Sequence, residues 1–184
     1  PKMEEFFVDA GLTADALKGR VEIGDPITMA RTTEKVGEMV LSKALDARVA
    51  VYVMIAALRQ LGKHQCDILA VATTQEEVGL RGATTSAFAL EPNVGIALDS
   101  TIANDFPGSD EPSRVTKLGG GAAIKIMDSS LLCHPKLVRH FRDVAEKHGI
   151  PYQLEILPRG GTDAGAIQRS RGGVPSFTLS VPCR

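Results

Sequence analysis

The sequence predicts an α/β fold organised around a mostly parallel central sheet. From residue 46 onward, short apolar runs alternate with segments of helical periodicity, which is typical of layered α/β domains. Glycines stand where two of the helical segments should end, at Gly62 and Gly149. The 184 residues are 43% hydrophobic and 23% charged, which fits one ordinary globular domain, or one domain plus a piece of another.

The first forty residues have a different character from the rest. They are rich in turn and strand signals and lack the alternation with helices that follows. Thr13 is expected to cap a short helix at 14–18, and 27–29 resembles a strand. We therefore expect a small β-rich module over 1–40 and a main domain over 41–184.

The elements of the main domain can be taken in order. Apolar residues recur with helical spacing over 46–61. The elements expected after it are a strand at 67–73, a short helix at 86–88, strands at 94–98 and 122–127, a helix at 135–148, a strand at 152–157, a helix at 163–170 and a strand at 176–181. Strands that alternate with helices favour parallel pairing.

Composition and charge exclude several classes of function. Lys and Arg total 21 against 22 for Asp and Glu, so no positive field is available to bind nucleic acid or an anionic membrane. Trp is absent and aromatic residues make up 4%, which leaves little surface for stacking on bases or sugars. The apolar runs are too short to span a membrane. Three widely spaced cysteines form no disulfide framework, which fits a cytoplasmic protein.

Acidic residues recur next to the expected strands and helices. Glu76 and Glu77 follow the 67–73 run, Asp99 follows the next apolar run, and Asp46 and Asp163 open helical segments. Ligand sites of open α/β sheets lie at the carboxyl ends of strands, so we expect these acids to gather at one edge. Crowded carboxylates must take up protons unless a cation neutralises them, and a pair of divalent ions about 3.5–4 Å apart can activate a water molecule. Taken singly, such acids are more often surface turns or helix caps; their joint pattern favours a metal site.

Several motifs carry a family resemblance, and together they span essentially the whole chain. In order, they are KALDAR at 43–48, QEEVGLRGA at 75–83, ALD at 97–99, IKIMD at 124–128, CHP at 133–135 and GGTDAGA at 160–166. This combination resembles the tetrahedral (TET-type) aminopeptidases, which include glutamyl and leucyl aminopeptidases and some members labelled endoglucanase.

The resemblance implies roles for particular residues. It implies Asp46 as the carboxylate bridging two metal ions, Glu77 and Asp99 as ligands of one ion each, Glu76 as general base and acid, and Gly161, Thr162 and Asp163 as residues near the substrate. The metal ions would be zinc, with cobalt as the alternative. The family fold is an α/β sandwich with an inserted β-barrel-like dimerisation domain, of which 1–40 would be the end. Family members hydrolyse peptides and assemble into dodecameric shells.

The sequence also departs from the family pattern. The two histidine ligands of the family would precede residue 1 and follow residue 184, so the chain is expected to be truncated at both ends and inactive alone. Ala47 stands where the family usually has Asp or Asn. Two other functions therefore stay open, namely a metal-dependent deacylase or amidohydrolase on the same scaffold, and a non-catalytic fragment or assembly subunit. Aminoacyl anilides tested against N-acyl amino acids would separate an aminopeptidase from a deacylase.

Overall fold

The computed structural model of the protein describes residues 2–184. It divides into two compact units, one ending at Lys43 and the other spanning Ala44–Arg184. No helix in the described part of the chain is long and apolar enough to cross a membrane. The identity of the first unit as the end of an inserted dimerisation domain stays a prediction.

The first unit consists of short elements. A short helix, α1, spans Ala14–Leu17, and the Thr13 hydroxyl accepts a hydrogen bond from the Ala16 amide, as expected for a cap. An antiparallel hairpin pairs β1, Glu34–Val36, with β2, Met39–Leu41. The expected strand at 27–29 is wrong, because no strand is assigned there.

The second unit contains the alternation that the sequence predicts. Its elements are α2 (Leu45–Arg59), α3 (Arg81–Leu90), β3 (Gly95–Ile102), β4 (Ala122–Met127), α4 (Pro135–His148), β5 (Tyr152–Ile156), α5 (Asp163–Gln168) and β6 (Ser176–Cys183). The predicted bounds of β4 and α4 are confirmed. In α4 the fixed φ of Pro135 suits a first helical position, and Gly149 adopts the left-handed conformation that ends the helix.

The sheet of the second unit has the strand order β3-β6-β4-β5. The pairs β3–β6 and β4–β5 are parallel, whereas β4 and β6 run antiparallel. The prediction of a mostly parallel sheet is therefore confirmed. The sheet stays open, with β3 and β5 at its edges.

The core lies between the sheet and its helices. Phe177 of β6 is fully buried and stacks on Phe141 of α4, with ring centroids 4.4 Å apart. Helix α5 contacts β3 and β6 through small buried residues, Ala164 among them, so its backbone can lie close to the sheet. Because α5 begins at Asp163, this close packing also fixes where that acid stands.

One expected strand of the second unit is absent, and one expected helix is present but longer than predicted. The run at 67–73 forms no strand, and its Ile68 and Leu69 are exposed. An extended segment becomes a strand only when a neighbour pairs with its backbone, and none does so among the described residues. The helix expected at 86–88 is α3, which starts five residues earlier. Its first turns are supported by the hydroxyls of Thr84 and Thr85, which donate to carbonyls of the preceding turn.

Candidate active site

The five acids stand on four different parts of the second unit. Asp46 lies in the first turn of α2, where the backbone of Asp46 and Ala47 departs from helical geometry. Asp163 is the first residue of α5, and Glu76 and Glu77 lie in the irregular stretch between α2 and α3. Asp99 is the most buried of the five, with 9% of its surface exposed.

Asp99 lies inside a strand, which corrects the expectation that it follows one. The register pairs Asp99 with Ser180 of β6 and continues to Ile102 opposite Cys183. Polar side chains at this end of β3 misled the sequence analysis, because it ended the strand at its last apolar residue. The pairing with β6 carries the strand through them.

The segment that carries Glu76 is not part of a strand; turn-type backbone hydrogen bonds hold it in place. The amides of Gly79 and Leu80 both donate to the Glu76 carbonyl, at 3.1 and 2.9 Å. The Gly82 amide donates to the Thr74 carbonyl at 3.0 Å. A Cβ atom on Gly82 would lie 2.6 Å from backbone atoms of Thr74, so only glycine permits this approach. The turn therefore sets the position of Glu76 relative to α3.

Burial and negative charge both act on the carboxyl group of Glu76. Burial is the largest of the causes that raise the pKa of Glu76 to about 7, and the charges of Asp99, Asp163, Glu77 and Asp46 add to it. Each of these four carboxylates therefore favours the protonated form of Glu76.

Asp99 is perturbed in the same direction. Burial is the main cause that raises the pKa of Asp99 to about 7, and the charges of Asp46 and Asp163 add to it. A hydrogen bond from the Ser100 amide, at 2.8 Å, and the charge of Lys125 act in the opposite direction. Lys125 is thus a positive charge that favours the ionised form of this acid.

Asp163 has one satisfied and one unsatisfied oxygen. The Thr73 hydroxyl donates to its Oδ2 at 2.6 Å, whereas Oδ1 is buried without a hydrogen-bond partner. Burial raises the pKa of Asp163, and the bond from Thr73 lowers it. The free oxygen can accept a hydrogen bond from a ligand or bind a cation.

The donor set fits a hard or borderline divalent ion in its chemistry but is incomplete. The oxygen atoms of clustered carboxylates are the ligands that such ions prefer, and a cation would relieve the repulsion that favours protonation. However, no three His, Cys, Asp or Glu side chains within residues 2–184 lie close enough together to hold one ion. The ligand roles of Asp46, Glu77 and Asp99 therefore stay predictions.

Two residues at the site were missed by the sequence analysis. Thr73 was assigned only to a strand, and no local pattern signals its contact with Asp163, 90 residues away. Lys125 did leave a signal, since it is the single charged residue within the apolar run of β4. It is fully buried in an ion pair with Glu155, which also accepts a hydrogen bond from the Thr101 hydroxyl at 2.6 Å.

An open α/β sheet with a cluster of carboxylates that range from buried (Asp99) to exposed (Asp46 and Glu77) is an arrangement suited to metal-dependent hydrolases. Comparison with known proteins identifies the group more closely. The sequence profile of the M42 glutamyl aminopeptidase family matches residues 1–184, and the chain belongs to that family.

Individual proteins show the same likeness. A putative aminopeptidase of Acetivibrio thermocellus is 43% identical over 185 residues, a match that covers 100% of this chain and 55% of that protein. The crystal structure of a TET aminopeptidase from a marine sediment Thaumarchaeota archaeon superposes with a TM-score of 0.84 at 35% identity, covering 88% of this chain and 47% of that one. The TET1 peptidase of Pyrococcus horikoshii, described as assembling into a tetrahedron or a large octahedral shell, gives 0.67 at 33% identity over 83% and 44% of the two chains. The chain thus spans about half the length of the relatives it matches.

Proposed function

We propose that this chain supplies the acidic part of the active site of a metal-dependent aminopeptidase. The observation that carries the proposal is the pKa of Glu76, raised to about 7 within a cluster of four other carboxylates on an M42 scaffold. Relatives that bear the name aminopeptidase support the same activity. Because the chain covers about half of those relatives, the activity is proposed for the whole protein to which such a chain corresponds.

The acids divide into metal-holding and proton-transferring groups. In this proposal Asp46, Glu77 and Asp99 would hold two divalent ions, with Asp46 shared between them and Glu77 and Asp99 each serving one ion. Zinc is the favoured metal and cobalt the alternative. A divalent ion bound to these oxygens would lower the pKa of a water molecule and polarise a peptide carbonyl. The remaining ligands would come from segments that lie outside this chain in the longer relatives.

Glu76 is the group that moves a proton. A general base works best when its pKa lies near the working pH, and burial together with its acidic neighbours brings Glu76 to about 7. It would take a proton from the attacking water and deliver it to the leaving amine. Its backbone position, set by Gly79 and Leu80, keeps the carboxylate in place during both transfers.

The substrate is proposed to be a peptide with a free amino terminus. The loop that contains Gly161 and Thr162 leads directly into Asp163, whose Oδ1 has no partner. A carboxylate oxygen of this kind can accept a hydrogen bond from the ammonium group of the substrate. An N-acylated substrate would lack that charge.

Self-association and a cytoplasmic location are part of the same proposal. The TET1 peptidase of P. horikoshii can assemble into a tetrahedron or a large octahedral shell, and a solved structure of PhTET1 contains a dodecamer. A dodecameric assembly is proposed here through the domain to which 1–40 would belong. The apolar Phe7 and Ile23 of the first unit are exposed, which supports a role in association. All three cysteines are free, which suits the reducing cytoplasm.

The experiment that tests the proposal compares two classes of substrate. The chain is extended at both ends with the flanking segments of the A. thermocellus relative, loaded with zinc or cobalt, and assayed on leucyl- and glutamyl-anilides and on N-acyl amino acids. Metal-dependent hydrolysis of the anilides is expected. Activity confined to the N-acyl compounds would identify a deacylase instead.

A non-catalytic role is the second candidate, because residues 2–184 contain no complete ligand set. An extended chain that binds metal and assembles but hydrolyses neither class of substrate would establish that role.

A further inference from the structure

A buried carboxylate outside the acid cluster ties two loops of the second unit together. Asp128 follows β4 directly and is 3% exposed. Its Oδ1 accepts hydrogen bonds from the amide and the hydroxyl of Ser130, at 2.8 and 2.9 Å. Its Oδ2 accepts one from the Thr162 hydroxyl, at 2.9 Å. The two carboxylate oxygens of Asp128 therefore bond to the connection that follows β4 and to the one that precedes α5.

Thr162 bonds to Asp128 in place of the capping hydrogen bond that its position usually makes. It occupies the position before α5 where a threonine hydroxyl ordinarily caps the helix, yet it makes no capping hydrogen bond. A hydroxyl has one proton, and that of Thr162 goes to Asp128. In its contact with Thr178, at 2.9 Å, the Thr162 oxygen is therefore the acceptor. Thr162, which is 1% exposed, thus joins its own loop to Asp128 at the end of β4 and to Thr178 of β6.

Further contacts join the same two loops next to Asp128. The Ser129 amide and hydroxyl both donate to the Gly160 carbonyl. A Cβ atom on Gly161 would lie 2.8 Å from the Ser130 hydroxyl oxygen, and one on Gly165 would lie 2.3 Å from it. The two glycines therefore let Ser130 sit between the loop and α5, so the loop has no room to shift toward β4.

The contacts continue from the loop to the proposed base. Thr162 is adjacent to Asp163, and Asp163 accepts the 2.6 Å hydrogen bond from Thr73. Thr73 precedes Thr74, which is bonded to Gly82 in the turn that carries Glu76. The bond between Thr73 and Asp163 therefore links the segment that leads into this turn to α5.

We propose that Asp128 is a positioning residue. Through a relay of hydrogen bonds and chain contacts that passes by way of Thr162, Asp163 and Thr73, it holds Glu76 in place relative to the other acids. The inference rests on the proposed aminopeptidase function for its kinetic consequence. The relay itself consists of hydrogen bonds and can be tested separately. Asp128 touches neither the substrate nor the proposed metal ligands. Its loss should therefore lower the rate of the chemical step, whereas the amount of bound metal should stay the same.

The kinetic test uses variants of the extended chain. Thr162→Val keeps the side-chain volume and removes the hydroxyl, and Thr162→Ser retains the hydroxyl. The matched control is Thr116→Val, which removes a buried hydroxyl that donates to the Ile102 carbonyl outside the relay. We expect Thr162→Val to lower kcat by about tenfold to a hundredfold, the effect of a misplacement of about 1 Å, with bound metal unchanged. Thr162→Ser should recover most of the rate, and Thr116→Val should behave as the wild type.

A second position tests the same relay where folding is less at risk. Thr73→Val removes a hydroxyl on a half-buried, irregular segment and should lower kcat to a similar extent. If the two threonines act along one path, the double variant should be no slower than the slower single variant. Effects that multiply in the double variant, or a Thr162→Val variant with wild-type kcat, would overturn the relay.

A spectroscopic measurement on the 184-residue chain separates this inference from the proposed function. The side-chain carboxyl carbons of Asp163 and Glu76 are observed by 13C NMR in the wild type and in the variants Thr162→Val and Thr116→Val. Both signals should shift in Thr162→Val and remain in place in the control, even if the extended chain hydrolyses no substrate. Unchanged signals in Thr162→Val would refute the relay whatever the activity.

Discussion

Lys125 of β4 and Glu155 of β5 form an ion pair from which solvent is entirely excluded. The two residues stand opposite each other in the parallel register of these strands. Burial makes each charge dependent on the other, because a lone charge in the interior is strongly unfavourable. The pair also places a positive charge near Asp99, on the side of the sheet where the acids gather.

Removing one member of this pair should destabilise the chain strongly. Lys125→Met leaves Glu155 charged and buried, and the free energy of unfolding should fall by about 3–5 kcal/mol. The double variant Lys125→Met/Glu155→Leu replaces the pair by apolar side chains and should recover most of that loss. Urea unfolding measures both. The exposed pair of Arg142 and Glu146 supplies the control, since Arg142→Met should leave the midpoint nearly unchanged. A double variant as unstable as Lys125→Met would show that the pair is required for packing.

The raised pKa values predict how stability depends on pH in the absence of metal. The pKa of Glu76 rises from 4.5 to about 7 on folding, and that of Asp99 rises from 3.8 to about 7. Between these limits the folded state binds more protons than the unfolded state, so the free energy of unfolding should fall as the pH rises from about 4.5 to about 7. Thermal unfolding over this range measures the slope. Glu76→Gln should make the slope shallower, and a slope unaltered by both Glu76→Gln and Asp99→Asn would contradict the assignment.

Gly82 should tolerate no side chain. Gly82→Ala places a Cβ atom 2.6 Å from the backbone of Thr74 and must displace the turn that carries Glu76. We expect a loss of about 1–3 kcal/mol in the free energy of unfolding, typical of overpacking. Gly62→Ala is the matched control, because nothing lies within 4 Å of its Cβ position, and it should be neutral or slightly stabilising. Equal stability of the two variants would argue against a close approach at Gly82.

Metal binding should distinguish the 184-residue chain from the extended one. Calorimetric titration with zinc should give weak binding to the chain as it stands, since residues 2–184 hold no set of three ligands in place. The extended chain should bind far more tightly. Aminopeptidase turnover by the 184-residue chain, with tight metal binding, would show that its acids suffice.

The sequence predicts elements well where local signals mark both ends. Pro135 and Gly149 delimit α4, and the apolar run of β4 is bounded by a glycine run and Asp128, so both elements match the structure. The 67–73 run has equally strong β propensity, yet it forms no strand, because pairing depends on a neighbour that local sequence does not reveal.

The acids of the candidate site could be predicted from the sequence, whereas the residues that hold them in place could not. Glu76, Asp99 and the other carboxylates could be named from motifs, and the charges of the other four raise the pKa of Glu76. The contacts of Thr73 with Asp163 and of Asp128 with Thr162 join residues 90 and 34 positions apart. Such contacts depend on how the strands and loops pack in three dimensions, and neither composition nor periodicity encodes them.

The measurement that tests the central claim most directly is the activity of Glu76→Gln in the extended chain. Gln keeps the shape of Glu but cannot accept a proton, so kcat on leucyl-anilide should fall by about 10²–10⁴-fold while the metal content stays that of the wild type. The same preparations are analysed for bound zinc or cobalt, which separates loss of the base from loss of the ions. Full activity in the metal-loaded Glu76→Gln variant would contradict the account, because proton transfer would then not depend on Glu76.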